Sequence, residues 1–333
     1  SEDTQVFEGE EANLYRHFER CNKNPSHSKF IDVSSFDICH LPEPYRDPDL
    51  YQLIKDLAGL TVRVCVTETS SKRPKFWPNK EEAYPFSEPS ESKKQRTGTG
   101  RVMNLVKYTS GYSNLKTKHY KGYTSCQCQT CKDSHFPEKD WWEIQVLTAT
   151  HVVFDNDEAK STHFRFLFDS DDSPLVTLTG ATVIDADIET DNCKLNLSVC
   201  NMSLGYRLFE IMKNYNQNLE KVFTICTGQF NPFGLTIIIS HPHGCSKKVS
   251  IGECVTVEQV GQHCFNNRLI YTTSTCKGSS GAPVLCLDYI GWDPHVHSGT
   301  REESKYNYSG PGPIGRVKPS KKYPPGIRNL YNK

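Results

Sequence analysis

The apolar positions along this chain fall mostly into short alternating runs. Thr61–Val66, TVRVCV, is β-branched and alternating and reads as a strand. Beyond it, strand signals recur in two sets. The first contains GTGRVMNLV, EIQVLTATHVV, HFRFLFDS, PLVTLTGATVI and CKLNLSV; the second contains LTIIIS, KKVSIGECVTV, RLIYTTST, APVLCL and HVHS. Many short strands punctuated by Gly and Asp/Asn turns predict a barrel or sandwich. Helical periodicity stands out twice. DPDLYQLIKDLAGL sets Leu50, Ile54 and Leu57 on one face, with Asp47 or Asp49 as cap and Gly59 as a stop. SLGYRLFEIMKNYNQNLEKV places Leu204, Leu208, Ile211, Tyr215 and Leu219 at helical spacing, an amphipathic helix between the two strand sets.

This pattern divides the chain into five parts: an N-terminal extension with a short helix (1–59), a first β-unit (60–200), a linking helix (201–222), a second β-unit (223–300) and a Pro-, Gly- and Lys-rich tail (301–333) without a fold of its own. The first β-unit carries a Pro-, Ser- and Lys-rich loop from about residue 68 to 97 and a cysteine-rich insert over 107–140.

Composition narrows the function classes. Hydrophobic content of 36% and charged content of 23% over 333 residues is an ordinary soluble balance. The formal net charge is zero, so nothing global points to nucleic acid or an acidic membrane surface as partner. No apolar run reaches the roughly 18 residues of a membrane span. KYTSGYSNLKTKHYKGY interleaves basic and aromatic residues that bases could stack on; in a neutral chain a solvated loop is the better reading. The start, SEDTQVFEGEE, is acidic and reads as neither a signal nor a transit peptide. Fourteen cysteines would suit disulfides in a secreted protein, and sequons stand at Asn196, Asn201 and Asn307. The chain is large enough to need no staples, and three cysteines crowd into one CxCxxC. The balance favours reduced thiols in the cytosol or nucleus.

Three stretches hold residues suited to acyl transfer, which needs a nucleophile, a base, a carboxylate to orient the base, and N–H donors for the oxyanion. In TCKGSSGAPVLCL, Ser280 lies between glycines, and Gly278 and Ser280 offer two backbone N–H donors; a turn before a buried strand is the alternative. In VLTATHVVFD a strand runs into His151, either a rim imidazole or a packed strand histidine. In VIDADIETDNCKLNL, Asp191 opens an alternating run of Cys193, Leu195 and Leu197, with Asp185, Asp187 and Glu189 as competitors.

Taken together, these stretches resemble the trypsin-like serine peptidases, closest to their HtrA-type and glutamyl-endopeptidase branches. GTGRV is similar to the strand that opens those domains, VLTATHVV to their base-bearing strand, HPHGCSKKVSIGECV to a turn and strand of the second barrel, YTTSTCKGSSGAPV to the nucleophile turn, and HVHSG to the strand walling the specificity pocket. The resemblance spans about residues 60–300, in the order His, Asp, Ser. It implies an all-β fold of two six-stranded antiparallel Greek-key barrels with the active site between them, short helices and the cysteine-rich insert being additions. It implies a serine endopeptidase acting on protein or peptide through Ser280, His151 and Asp191, chosen over Asp187. Catalysis then needs no cofactor. Ser279 stands where secreted trypsins carry an aspartate, so activation by a newly cut N-terminus is not expected. Cys193 and Lys194 depart from the family's aspartate strand. The pocket would be lined by Ser274, Thr275 and His297, with no aspartate to hold Lys or Arg. Thr275 and His297 match the glutamyl-endopeptidase residues that hold an acidic side chain; structural packing of His297 is the alternative.

The insert adds CQCQTCKDSH, in which Cys126, Cys128, Cys131 and His135 suit a tetrahedral structural zinc. Disulfides to distant cysteines and free thiols are alternatives, and a distant cysteine could replace His135. The contrasting function is a catalytically silent protease-fold module that uses this insert as an interaction surface. The sequence leaves the oligomeric state open.

Overall fold

The computed structural model describes residues 1–7, 12–88, 94–113, 123–226, 234–261, 266–287, 289–290 and 295–316. Residues 114–122 of the basic, aromatic stretch and 317–333 of the tail lie outside them. The fold is all-β with two barrels. In the first sheet the order is Val176–Leu178, Thr162–Phe166, Thr61–Val66, Gln95–Thr109, Trp141–Thr148, Asn192–Val199, Thr182–Asp187, with Gln5–Phe7 and Tyr112–Ser113 paired onto Gln95–Thr109. The PLVTLTGATVI run therefore makes two strands, at opposite ends of this order. The break is at Gly180, φ +75. The short link across it can span only about 14 Å, so the two ends of the sheet are drawn together.

The second sheet closes on itself. Its ring is Leu235–Ser240, Pro283–Cys286, His295–Thr300, Asn307–Ser309, Asn267–Tyr271, Lys248–Gln259 and back to Leu235–Ser240, with Ile31–Asp32 added beside Lys248 and Val249. Six strands were expected in each barrel; the ring meets that, and the first sheet has nine. Alternation decides the facing: on Asn192–Val199, Cys193, Leu195, Leu197 and Val199 are buried and the residues between them half-buried. Leu235–Ser240 is buried throughout, as befits a strand paired on both sides.

Three expectations change. The helix Pro48–Leu60 is capped by Asp47, whose carboxylate accepts from the Asp49 and Leu50 N–H groups, but it does not stop at Gly59. Gly59 instead allows close helix packing: a Cβ there would lie 3.0 Å from Ile211 Cδ1 on the long helix Met202–Cys226. The segment after residue 300 does not lack a fold, because Asn307–Ser309 pairs on both sides within the second barrel. A three-residue strand among Tyr, Gly and Pro carries too little alternation to be read. The N-terminal extension is woven into both units, through Gln5–Phe7 in the first and Ile31–Asp32 in the second. Among the described residues no helix is long and apolar enough to cross a membrane.

Candidate active site between the barrels

His151 follows the strand Trp141–Thr148, and Asp191 precedes Asn192–Val199; these strands pair with Thr148 opposite Cys193. The register brings the two side chains to one rim. His151 Nδ1 lies 2.8 Å from Asp191 Oδ2 and 3.0 Å from Oδ1, and the His151 N–H donates to Oδ1. On its other side His151 Nε2 lies 2.8 Å from Ser280 Oγ, so the three side chains form one buried hydrogen-bonded chain. Asp185, Asp187 and Glu189 are exposed. Asp187 caps the turn before Asp191, accepting from the Glu189 and Thr190 N–H groups. Burial alone would raise the Asp191 carboxyl; His151 beside it and hydrogen bonds from His151 and Ser298 outweigh this and hold it below its ordinary value.

The loop bearing Ser280 is fixed by contacts only glycine permits. Gly278 has φ +95, and a Cβ there would sit 2.4 Å from the His241 carbonyl; Gly281 has φ +83, and its Cβ would sit 2.2 Å from Thr148 Oγ1. The GTG strand of the first barrel clasps the loop: Thr99 N donates to the Ser280 carbonyl at 2.8 Å and Thr99 Oγ1 to the Gly278 carbonyl at 2.8 Å. Ser279 turns inward, its hydroxyl 3.0 Å from Ser240 Oγ.

Several supporting residues carry no motif. Ser298 donates to Asp191 Oδ2 at 2.5 Å. Arg73, from the Pro-rich loop, donates to the His151 carbonyl at 3.1 Å, and Arg96 to the Val152 carbonyl at 3.0 Å. Both guanidinium groups converge on the buried carboxylate of Glu158. Burial would raise Glu158, but Arg96 and Arg73 bring it from 4.5 to about 2. Arg96 is pushed down to about 9 by burial and by Arg73, and keeps its charge at neutral pH.

The cleft is filled by the chain's own first residues. The Asp3 carbonyl oxygen accepts from Gly278 N at 2.6 Å and Ser280 N at 3.1 Å, so the two expected oxyanion donors converge on one atom. Glu2 bridges antiparallel to Gly299, and Ser1 and Thr300 exchange two backbone bonds of 2.8 Å. The Asp3 side chain enters the expected specificity pocket, where Oδ2 meets Thr275 Oγ1 at 2.7 Å, His297 Nε2 at 2.9 Å and Lys23 Nζ at 2.5 Å. Thr300 Oγ1 donates to the same oxygen at 3.3 Å. The Tyr271 hydroxyl lies 2.8 Å from His297 Nδ1. Its donation there sets the tautomer that donates from Nε2 to the carboxylate. Burial lowers His297 against the opposing pull of Asp3. Burial would raise Asp3, yet Lys23 and His297 hold it far below the carboxylate range. Ser274 is buried on the same loop but makes no hydrogen bond to Asp3 among the described residues. Lys23 was missed by the sequence reading.

In the insert, Cys126, Cys128 and Cys131 converge with Cys200, their ligand atoms all within 4.8 Å of one another. His135 is exposed and outside the set. Cys200, just past the strand Asn192–Val199, joins the set instead, because Val199 pairs opposite Trp142, directly after the insert. No disulfide forms among the described cysteines.

The fold and the Ser–His–Asp arrangement define the class of trypsin-like serine peptidases. A family model, lysyl endopeptidase C-terminal domain, matches residues 106–290, and the chain belongs to that family. No curated protein matches it by sequence. Among solved structures it is similar to an HtrA-type protease, AlgW, with a tripeptide, at 13% identity and a TM-score of 0.39, covering 78% of this chain and 58% of that one. The same protease with a decapeptide gives 12% identity, a TM-score of 0.40, and coverage of 78% and 63%. The chain thus spans less than two thirds of these proteins.

Proposed function

We propose that this chain is a serine endopeptidase that cleaves after acidic residues. The observation that carries the reading is Asp3, whose carbonyl oxygen lies between the Gly278 and Ser280 N–H groups while its carboxylate rests among Thr275, His297 and Lys23. That is the placement required of the residue on the acyl side of a scissile bond. His151 takes the proton of Ser280 as Oγ attacks the carbonyl carbon. The tetrahedral oxyanion is held by the two N–H groups. Proton return from His151 expels the amine, and water repeats the sequence on the acyl-enzyme. Asp191 holds His151 in the tautomer with Nδ1 protonated. The family's name speaks of lysyl cleavage. In this chain an ammonium group already lies against the Asp3 carboxylate, and a substrate lysine in its place would face a like charge. The test is hydrolysis of peptides differing only at the residue before the cut. Asp and Glu peptides should be cleaved and Lys peptides spared, with activity lost in Ser280→Ala; the opposite ranking would overturn the specificity.

We also propose that Cys126, Cys128, Cys131 and Cys200 hold a structural zinc. Cys128 Sγ and Cys200 Sγ are 3.7 Å apart, close to the roughly 3.8 Å between thiolates in a tetrahedral site with 2.3 Å bonds. The ion would tie the insert to the first barrel. Zinc analysis of Cys131→Ser with Cys200→Ser should show one equivalent fewer than the parent; an unchanged content refutes this.

A further inference from the structure

A second set of metal-type ligands lies outside the insert. Cys21, His27, His243 and Cys276 bring one ligand atom each to within 4.8 Å of the others, and three of the four are buried. They come from three distant parts of the chain: the segment after the short helix Ala12–Glu19, the turn after Leu235–Ser240, and the loop that carries Ser280. Cys21 Sγ and Cys276 Sγ are 3.5 Å apart, and Cys276 Sγ is 3.5 Å from His27 Nε2. Tetrahedral zinc with sulfur at 2.3 Å and nitrogen at 2.0–2.1 Å sets such edges at about 3.5–3.8 Å.

The surroundings are those of a built site. His243 Nδ1 lies 2.8 Å from Gln5 Oε1, an acceptor, so Nδ1 carries the proton and Nε2 the lone pair. That Nε2 is buried and has no hydrogen-bond partner. A ligating histidine whose other nitrogen donates to a side-chain carbonyl is the arrangement metals select. Asn24 Nδ2 donates to Cys276 Sγ at 3.1 Å and Asn24 N to Cys21 Sγ at 3.5 Å, so both sulfurs are held in place by N–H donors. Phe18 stacks on the His27 ring at 3.8 Å. Both histidines have left-handed backbone, φ +50 and +55, a conformation retained only where the surroundings over-determine it.

We propose that Cys21, His27, His243 and Cys276 form a structural zinc site that fastens the N-terminal segment to the nucleophile loop. Two thiolates and two imidazoles in a closed tetrahedron suit zinc and leave no position for substrate. On binding, each thiol proton still present is released and each sulfur donates an electron pair; nothing is oxidised. Lys23 lies between Cys21 and His27, and Asn24 Nδ2 donates to the Thr275 carbonyl at 2.8 Å. The ion therefore holds the loop that carries Lys23 over the pocket; this consequence, unlike the site itself, rests on the acidic-specificity reading above.

The test is zinc stoichiometry of the full chain purified without chelator, compared with Cys21→Ser/His27→Ala, and with Cys131→Ser/Cys200→Ser as control for the insert. Each double variant should lose one equivalent independently, and Cys21→His, which keeps a ligand, should retain the metal. Cobalt exchanged into the Cys131→Ser/Cys200→Ser protein should give the visible absorption of a tetrahedral site with two thiolates. Zinc content unaltered by Cys21→Ser/His27→Ala, or a Cys21–Cys276 disulfide found by mass mapping, overturns the site. Loss of zinc without a change in preference between Asp and Lys peptides overturns only its role at the pocket.

Discussion

At the scale of the residue, the proposed function divides the site into groups that would act on the bond and groups that would choose it. Ser280, His151 and Asp191 are each announced by a local turn, which is why they were legible: a strand running into histidine, an aspartate opening an alternating strand, a serine between glycines. Ser280→Ala should lower kcat by at least about 10³-fold with little change in stability, read by peptide hydrolysis and thermal unfolding. Lys23 had no such signal. It sits in a polar segment without periodicity and reaches the pocket across more than 250 residues of chain, bonding Thr275 Oγ1 at 3.0 Å. Replacing it with Met keeps most of its apolar stem and removes the charge. Lys23→Met should reduce kcat/KM for Asp and Glu peptides by about 10- to 100-fold, and for Gln peptides far less. Equal losses on both would show that Lys23 supports structure and not charge selection.

At the scale of the element, the strand runs and helix faces were legible because burial enforces period, whereas the order of strands, which splits PLVTLTGATVI between opposite ends of the first sheet, was not. Nor was the loop of residues 68–88 legible, because it contributes through scattered single groups, among them the Ser70 N–H on Glu158 and the Arg73 guanidinium, with no period. Arg73 joins Arg96 on Glu158 and braces the backbone of His151 and Val152. Removing a single partner from such a buried network costs about 3–5 kcal/mol. Glu158 also sets a pH window. Its folded value lies below its unfolded one, so its stabilisation is fully present above about 4.5 and is lost as pH falls toward about 2. Urea unfolding over that range should fall more steeply for the parent than for Glu158→Gln, which should be the less stable of the two at neutral pH. Parallel curves would assign the acid sensitivity to other carboxylates. The nucleophile loop has its own constraint: Gly281→Ala should cost about 2–4 kcal/mol, since both its φ and its contact with Thr148 forbid a side chain.

At the scale of the molecule, the N-terminal extension is the feature the sequence hid most completely. It was read as a polar preface, yet it pairs with both sheets, supplies two of the four ligands of the proposed zinc site, and lays Ser1–Asp3 in the cleft. None of this has a periodic signature, since no contact runs longer than three residues. Under the proposed function, a segment tethered to its own cleft would compete with substrate at an effective concentration on the order of millimolar. Asp3→Lys places an ammonium against Lys23 and should eject the segment. KM for added acidic peptides should then fall several-fold with kcat little changed; an unaltered KM would mean that the segment does not compete. The central claim is Ser280-dependent cleavage after acidic residues. Its most direct measurement is mass-spectrometric mapping of cut sites in a peptide mixture presenting every residue before the bond, run with the parent and with Ser280→Ala. The account requires cuts after Asp and Glu that vanish in Ser280→Ala; cuts concentrated after Lys or Arg, or cuts that persist in the variant, would contradict it.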